Sequence, residues 1–198
     1  MPEVDWDARY RDGEIPWEKG MPHPGLLFFV ERHREIFADA PRLFHAGCGY
    51  GRDASYLAPF CSELTALDIS EAPIDGAKKL YPEIKNINWH TADLFTWDEP
   101  EKYDLVWEQS CFCAIPLERR QDYVRSVHAL LKPGGLLVAV FFLNPDHPPE
   151  EGPPFGVTRE ELNDFFAENF ELLEDSPNPP TYEGRENRET IMVWRKRP

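Results

Sequence analysis

The stretch from Arg42 to Asp68, RLFHAGCGYGRDASYLAPFCSELTALD, constrains this chain more than any other. Leu43 and Phe44 form a short apolar run that feeds a loop carrying Gly47, Gly49 and Gly51. A segment of helical character follows from Arg52 to Ala58, and a second apolar run, Leu64 to Leu67, ends in Asp68. Strand, glycine loop, helix and a second strand closed by an acid outline a nucleotide-binding unit. Glycines in a strand-to-helix turn can be there only because the backbone needs positive φ. The acid about 20 residues beyond them makes the ligand reading the stronger one.

The spacing also narrows the ligand. The loop reads G-x-G-x-G, and Arg52 stands where a dinucleotide fingerprint has its third glycine. A bulky residue there opposes close packing of the helix start on a pyrophosphate. A carboxylate at the end of the second strand accepts two hydroxyl hydrogen bonds and suits a ribose diol. A ligand with ribose and no phosphate fits these features, and S-adenosylmethionine is the commonest one.

The rest of the chain extends the same architecture. A short helix is expected within residues 1–22 and a longer one from Gly25 to Ala38. Strands are expected at 42–46, 63–68, 87–91, 103–108 and 136–143, with a helix from Ser70 as N-cap to Tyr81 and another from Pro116 to Leu131. Lys132-Pro133-Gly134-Gly135 reads as a helix stop and turn. The proline-dense segment 144–156 cannot be helix or central strand. Thr158 and Glu161 form a capping box for a helix to Glu168, and 170–174 and 189–195 close as strands. The fold class is therefore α/β: a doubly wound, mostly parallel, seven-stranded, Rossmann-like sheet, expected as one domain over residues 1–198.

Charge and composition bound the function. A net charge of −15 argues against a nucleic-acid backbone as partner, and Arg195-Lys196-Arg197 reads as a solvated tail. No apolar run of about 18 residues predicts a membrane span. The N-terminus lacks a basic-then-apolar signal pattern, so a cytoplasmic protein is expected, and a monomer. Cys48, Cys61, Cys111 and Cys113 form no C-x-x-C pair and read as reduced thiols; no spacing predicts a metal site. His45 reads as a core histidine, His23 as a surface residue, Cys113 as a small buried apolar residue, and Trp6 and Trp17 as anchors of the N-terminal segment.

In a doubly wound sheet the ligand lies at the carboxyl ends of the strands. That rule selects Gly47 to Gly51, Asp68, Ala92-Asp93-Leu94 and Glu108-Gln109. Asp93 suits an adenine amino group, Leu94 its ring, and Glu108 the amino end of the cofactor near the methyl donor. An acid after one strand is commonly a turn residue, but three acids at three successive strand ends point to a site.

Further blocks carry a resemblance: W-x-x-R-Y (Trp6 to Tyr10), IPWEKGMPHP (Ile15 to Pro24), AGCGYGRD, ALDIS, ADLFTW, YDLVWEQSCFCAIP-x-x-RR (Tyr103 to Arg120), LLKPGG and GPPFGVTREEL (Gly152 to Leu162). With these the chain resembles the thiopurine S-methyltransferase-like family of class I S-adenosylmethionine-dependent methyltransferases, which includes thiol and halide methyltransferases. The resemblance implies that Tyr10 and Trp17 belong to an N-terminal lid over residues 1–24. It implies that Gly47, Gly49, Asp68, Ile69, Asp93, Leu94 and Glu108 bind the cofactor. Trp17, Phe112, Arg120 and Phe155 would bound a small-molecule methyl acceptor, with Arg120 and Glu108 at the reacting centre. The family often has an aromatic where Cys111 stands here, so the acceptor pocket is expected to be reshaped. The reaction implied is in-line methyl transfer to a thiol, hydrosulfide or halide. Transfer to oxygen or nitrogen is the alternative, with His23 or Glu108 as base, and a non-catalytic cofactor-binding module is a third reading.

Overall fold

Seven strands form one sheet in the order β3-β2-β1-β4-β5-β7-β6. They are β1 (Arg42–Ala46), β2 (Glu63–Asp68), β3 (Ile87–Thr91), β4 (Tyr103–Gln109), β5 (Leu131–Phe142), β6 (Phe170–Pro177) and β7 (Glu189–Lys196). The computed structural model describes residues 4–143, 145, 147, 148 and 151–197. Strands β1 to β5 pair in parallel, and β7 runs antiparallel between β5 and β6. The helices are α1 (Trp6–Asp12), α2 (Pro24–Arg32), α3 (Arg52–Leu57), α4 (Glu71–Leu80), α5 (Arg120–Leu130) and α6 (Arg159–Phe166). No helix among the described residues is long and apolar enough to cross a membrane.

The period-two alternation of side chains along a strand divides the core into two layers. Phe44, Val106, Leu137, Ala139 and Phe141 face one side, where they pack with Tyr123 and Val127 of α5 and Phe166 of α6. Leu43, Leu105, Trp107, Val138 and Val140 face the other, against Leu26 and Phe29 of α2, Leu57 of α3 and Ile74 of α4. Each large apolar side chain removed from water on these faces contributes about 1.5–3 kcal/mol. Both faces of the central strands are thereby covered, as a parallel sheet requires.

Several boundaries differ from the sequence reading. The helix expected from Gly25 to Ala38 stops at Arg32, because His33 leaves helical geometry (φ −122°, ψ 46°). Its ring stacks on Phe29 and reaches Glu35 and Glu174 at 3.3 and 3.1 Å, after which a 3-10 turn, Arg34–Phe37, buries Phe37. The helix expected from Pro116 becomes a 3-10 turn at Leu117–Arg119 followed by α5. Strand β5 begins at Leu131 and not at Leu136: the K-P-G-G stretch is an irregularity within the strand, with Gly134 at φ +77° and the register against β4 shifting between Tyr103 and Leu105. The basic C-terminal cluster is not a solvated tail. Lys196 is buried and donates to the Leu131 carbonyl at 2.7 Å, and Arg197 donates to the Phe170 carbonyl at 3.0 Å. Of the proline-dense connection, residues 144, 146, 149 and 150 lie outside the described residues.

Candidate cofactor and acceptor site

Strand order reverses between β1 and β4, and the loops beyond their carboxyl ends meet there. Gly47 and Gly49 both have positive φ, +62° and +51°. A Cβ on Gly47 would stand 3.0 Å from Cys111 Sγ, and one on Gly49 would stand 3.1 Å from Tyr10 Oη. Glycine is therefore required twice over, by conformation and by the closeness of the neighbouring segments.

Asp68 closes β2 beside this loop. Its Oδ2 accepts the Gly49 N–H at 2.8 Å and its Oδ1 accepts the Ser70 N–H at 3.0 Å. Burial raises its pKa, while these two amides hold it down. The Ile69 amide adds a third donor, and acceptor capacity for a ligand hydroxyl remains. Ile69, next along, is 51% exposed and offers an apolar shelf. Ser70 stands at the N-cap of α4, yet its hydroxyl makes no capping bond and is buried without a partner. The Glu71 amide is instead capped from α1 by Asp7 Oδ1 at 3.1 Å. Past β3, Asp93 accepts the Phe95 N–H at 2.9 Å and Leu94 is buried.

The N-terminal segment lies over this edge. Trp17 Nε1 donates to Tyr10 Oη at 3.2 Å, and the Tyr10 ring meets Trp17 and Tyr50 edge-on at 5.8 and 5.6 Å. Burial, and then the charge of Asp68, pushes the Tyr10 hydroxyl pKa well up. Arg52, the residue in place of a third glycine, ties the segment down: its Nε donates to Glu18 at 3.0 Å and its Nη1 to Tyr81 Oη at 3.2 Å.

At the end of β4 the carboxylate of Glu108 is wholly buried. Its Oε1 accepts the Cys111 N–H at 3.0 Å, and its Oε2 accepts the Phe112 N–H at 2.9 Å and the Tyr123 hydroxyl at 3.0 Å. Burial pushes its pKa up to about 7 against the pull of these donors. Phe112, Arg120 and Phe155 do come together, all three buried. The Arg120 guanidinium lies 4.8 Å from the Phe112 ring centre and donates to the carbonyls of Phe155 and Gly156, each at 2.9 Å. The Phe155 N–H in turn donates to the Cys113 carbonyl at 2.7 Å. Arg120 thus fastens the 155–156 strap to the turn after β4.

His23 is not the surface residue expected. It is fully buried, its Nδ1 accepts the Gly25 N–H at 3.0 Å, and its Nε2 faces Glu189 Oε2 at 3.0 Å. Its own N–H donates to Asp53 Oδ1 at 2.7 Å, and Trp107 Nε1 donates to Asp53 Oδ2 at 2.8 Å. His45 is a core residue, its Nδ1 is without a partner, and burial pushes its pKa down to about 4. The four cysteines are free, and no group of three or more metal-ligating side chains occurs among the described residues. Ser110, Arg185 and Glu189, which also reach this edge, were invisible to motif reasoning. The one available signal was an arginine in the polar connection between the last two strands.

The chain has clear relatives. The family described as thiopurine S-methyltransferase matches residues 1–178. Thiocyanate methyltransferase 1 of Brassica oleracea is 30% identical over 198 residues, covering 98% of this chain and 85% of the relative. Probable thiol methyltransferase 2 of Arabidopsis thaliana is 29% identical over 197 residues, covering 96% and 84%. Among solved structures, the 1,6-didemethyltoxoflavin-N1-methyltransferase of Burkholderia thailandensis, with its substrate and S-adenosylhomocysteine bound, superposes with a TM-score of 0.78 at 20% identity, covering 98% and 86%. At that identity the likeness speaks for the fold alone.

Proposed function

The chain belongs to the thiopurine S-methyltransferase family and is an S-adenosylmethionine-dependent methyltransferase, and from that premise we propose that it methylates a small soft nucleophile: a thiol, hydrosulfide or halide. One observation carries the acceptor class. Of the candidate bases, Glu108 already accepts from two amides and a tyrosine, and His23 is engaged by Gly25 and Glu189. A soft anion needs no proton removed at the moment of attack, only positioning and removal of its water. An oxygen or nitrogen acceptor would call for a base, a task for which His23 is not free and Glu108 is committed to the turn.

The residues present fit the cofactor: a glycine cradle that a Cβ would fill, a carboxylate with spare acceptor sites, and the orphaned hydroxyl of Ser70 beside it. When bound, S-adenosylmethionine supplies a methyl group already activated by a positive sulfur. Gly47 and Gly49 let the backbone approach its amino-acid portion. Asp68 holds the ribose, Asp93, Ile69 and Leu94 hold the adenine, and Tyr10 and Trp17 cover it. Glu108 keeps a negative charge near the sulfur and fixes the turn that walls the acceptor. Arg120 fixes Phe155 against that turn, and Phe112, Trp17 and Phe155 exclude water. The protein acts as a monomer on small molecules, and its acidity disfavours nucleic acid.

The test is turnover with S-adenosylmethionine and, in turn, iodide, hydrosulfide and an aromatic thiol, following S-adenosylhomocysteine and the methylated products together. Methylated thiol or halide is expected. Cofactor binding with product only from oxygen or nitrogen acceptors would overturn the acceptor class. Arg120→Ala and Phe155→Ala are expected to lower kcat/KM for the acceptor at least about tenfold with cofactor affinity retained, since each loosens a buried strap and not the ribose site. Unchanged KM and kcat in both would remove these residues from the acceptor side.

A further inference from the structure

Ser110 has φ +61°, a left-handed conformation that a serine disfavours. It lies between Gln109, the last residue of β4, and Cys111, whose sulfur packs against Gly47 of the cofactor loop. Glu108 holds the amides of Cys111 and Phe112, on the far side of Ser110. What holds Ser110 itself comes from elsewhere in the chain. Arg185 Nη1 donates to Ser110 Oγ at 3.1 Å and to Glu189 Oε1 at 3.1 Å. The guanidinium is mostly buried, 5.2 Å from the Phe142 ring centre and 5.9 Å from that of Tyr182. Glu189 is fixed on its other oxygen by His23 and by the Thr181 hydroxyl. Gln109 Nε2 also donates to Ser110 Oγ.

We propose that Arg185 is a positioning residue for methyl transfer, which holds the turn after β4 in its left-handed conformation through the Ser110 hydroxyl. A strained residue persists only where its surroundings over-determine it, and such residues gather at functional sites. Here the restraint is a charge-assisted hydrogen bond from a guanidinium that Glu189 and two aromatic rings orient. Without it the turn relaxes, Cys111 shifts against Gly47, and the wall between donor and acceptor loses its shape. The inference rests on the methyl-transfer reading of this edge.

The roles separate in a two-by-two set: wild type, Arg185→Ala, Ser110→Gly and the double variant. For each, kcat, acceptor KM and the affinity for S-adenosylhomocysteine are measured, along with hydrogen exchange of the 110–113 amides in the S-adenosylhomocysteine complex. Arg185→Ala is expected to lower kcat about tenfold where residue 110 is serine, because a left-handed non-glycine residue is strained by an amount of that order. Where residue 110 is glycine, the same change is expected to cost less than about twofold, since glycine adopts this φ freely. Exchange at 110–113 should quicken in Arg185→Ala alone. Equal loss in both backgrounds would show that Arg185 acts by another route, and unchanged exchange would show that it does not hold the turn; either overturns the proposal. If the wild type turns over no acceptor, the methyl-transfer reading fails by itself, and the exchange comparison still decides whether Arg185 holds the turn.

Discussion

Between the glycine loop and Asp68 the hydrogen bonds that fix the backbone are short in sequence. Gly49 reaches Asp68 over 19 residues, and Ser70 reaches Asp68 over 2. Around the turn after β4 the local bonds of Glu108 to the Cys111 and Phe112 amides are joined by long ones: Arg120 reaches Gly156 over 36 residues, Arg185 reaches Ser110 over 75, and His23 reaches Glu189 over 166. The glycine loop and Asp68 lie in one supersecondary unit that carries its own geometry, with the N-terminal segment laid over it. The proposed acceptor side is assembled from four separate segments, and it meets the cradle where Cys111 lies against Gly47. A fold built this way can keep one cofactor while its acceptor changes, because fold and site specificity are set by different parts of the chain.

The largest effect that would break this division is at Asp68. Asp68→Asn is expected to weaken binding of S-adenosylhomocysteine about 100-fold in calorimetric titration, since it removes charge-assisted bonds to the ribose and to the Gly49 amide. If affinity fell less than about threefold, Asp68 would not hold the ribose.

A second, smaller effect sharpens the boundary between the halves, because Glu108 stands on it. Its folded pKa, about 7, lies above the ordinary carboxylate value. Between those two values the folded protein holds a proton that the unfolded chain has lost, so this group's contribution to stability is full below the ordinary value and is lost as pH rises through 7. Glu108→Gln is expected to flatten that part of the pH dependence of the ligand-free melting temperature. The positive sulfur favours the ionised carboxylate. Affinity for S-adenosylmethionine relative to S-adenosylhomocysteine should therefore rise with pH through about 7 in the wild type and stay flat in Glu108→Gln. A ratio independent of pH in the wild type would place Glu108 away from the sulfur.

The smallest effect concerns the lid. Asp7→Ala removes one exposed capping bond, for which about 1 kcal/mol is typical. It should weaken S-adenosylhomocysteine binding by less than about tenfold and leave the acceptor KM unchanged. A change in acceptor KM as large as that in cofactor affinity would mean that α1 serves both halves equally.

This division also explains what could be read in advance. The sheet, its order of strands and helices, and the ring of acids at its carboxyl edge were legible because periodicity and turn chemistry are local signals. Gly47, Gly49 and Asp68 belong to that class. Ser110 was not legible, because nothing in a serine announces a left-handed φ. His23 was misread because its partner lies 166 residues away, and a proline-flanked histidine looks like a loop residue until Glu189 is folded against it. Ser70 was half right. It occupies the capping position, but Asp7 does the capping. The helix does stop just before the K-P-G-G stretch, at Leu130, but pairing of Leu131 with Tyr103 carries the strand back across the expected turn.

That exchange at α4 bears on the order in which the molecule is completed. Asp7 is made early, yet the amide it caps lies 64 residues downstream, and the Glu189 that secures His23 comes far later still. During synthesis the Asp7 cap therefore waits for α4, and the His23 ring, whose backbone already meets Asp53, waits for β7 to bring Glu189. Segments far apart in the sequence thus depend on one another for their final anchoring.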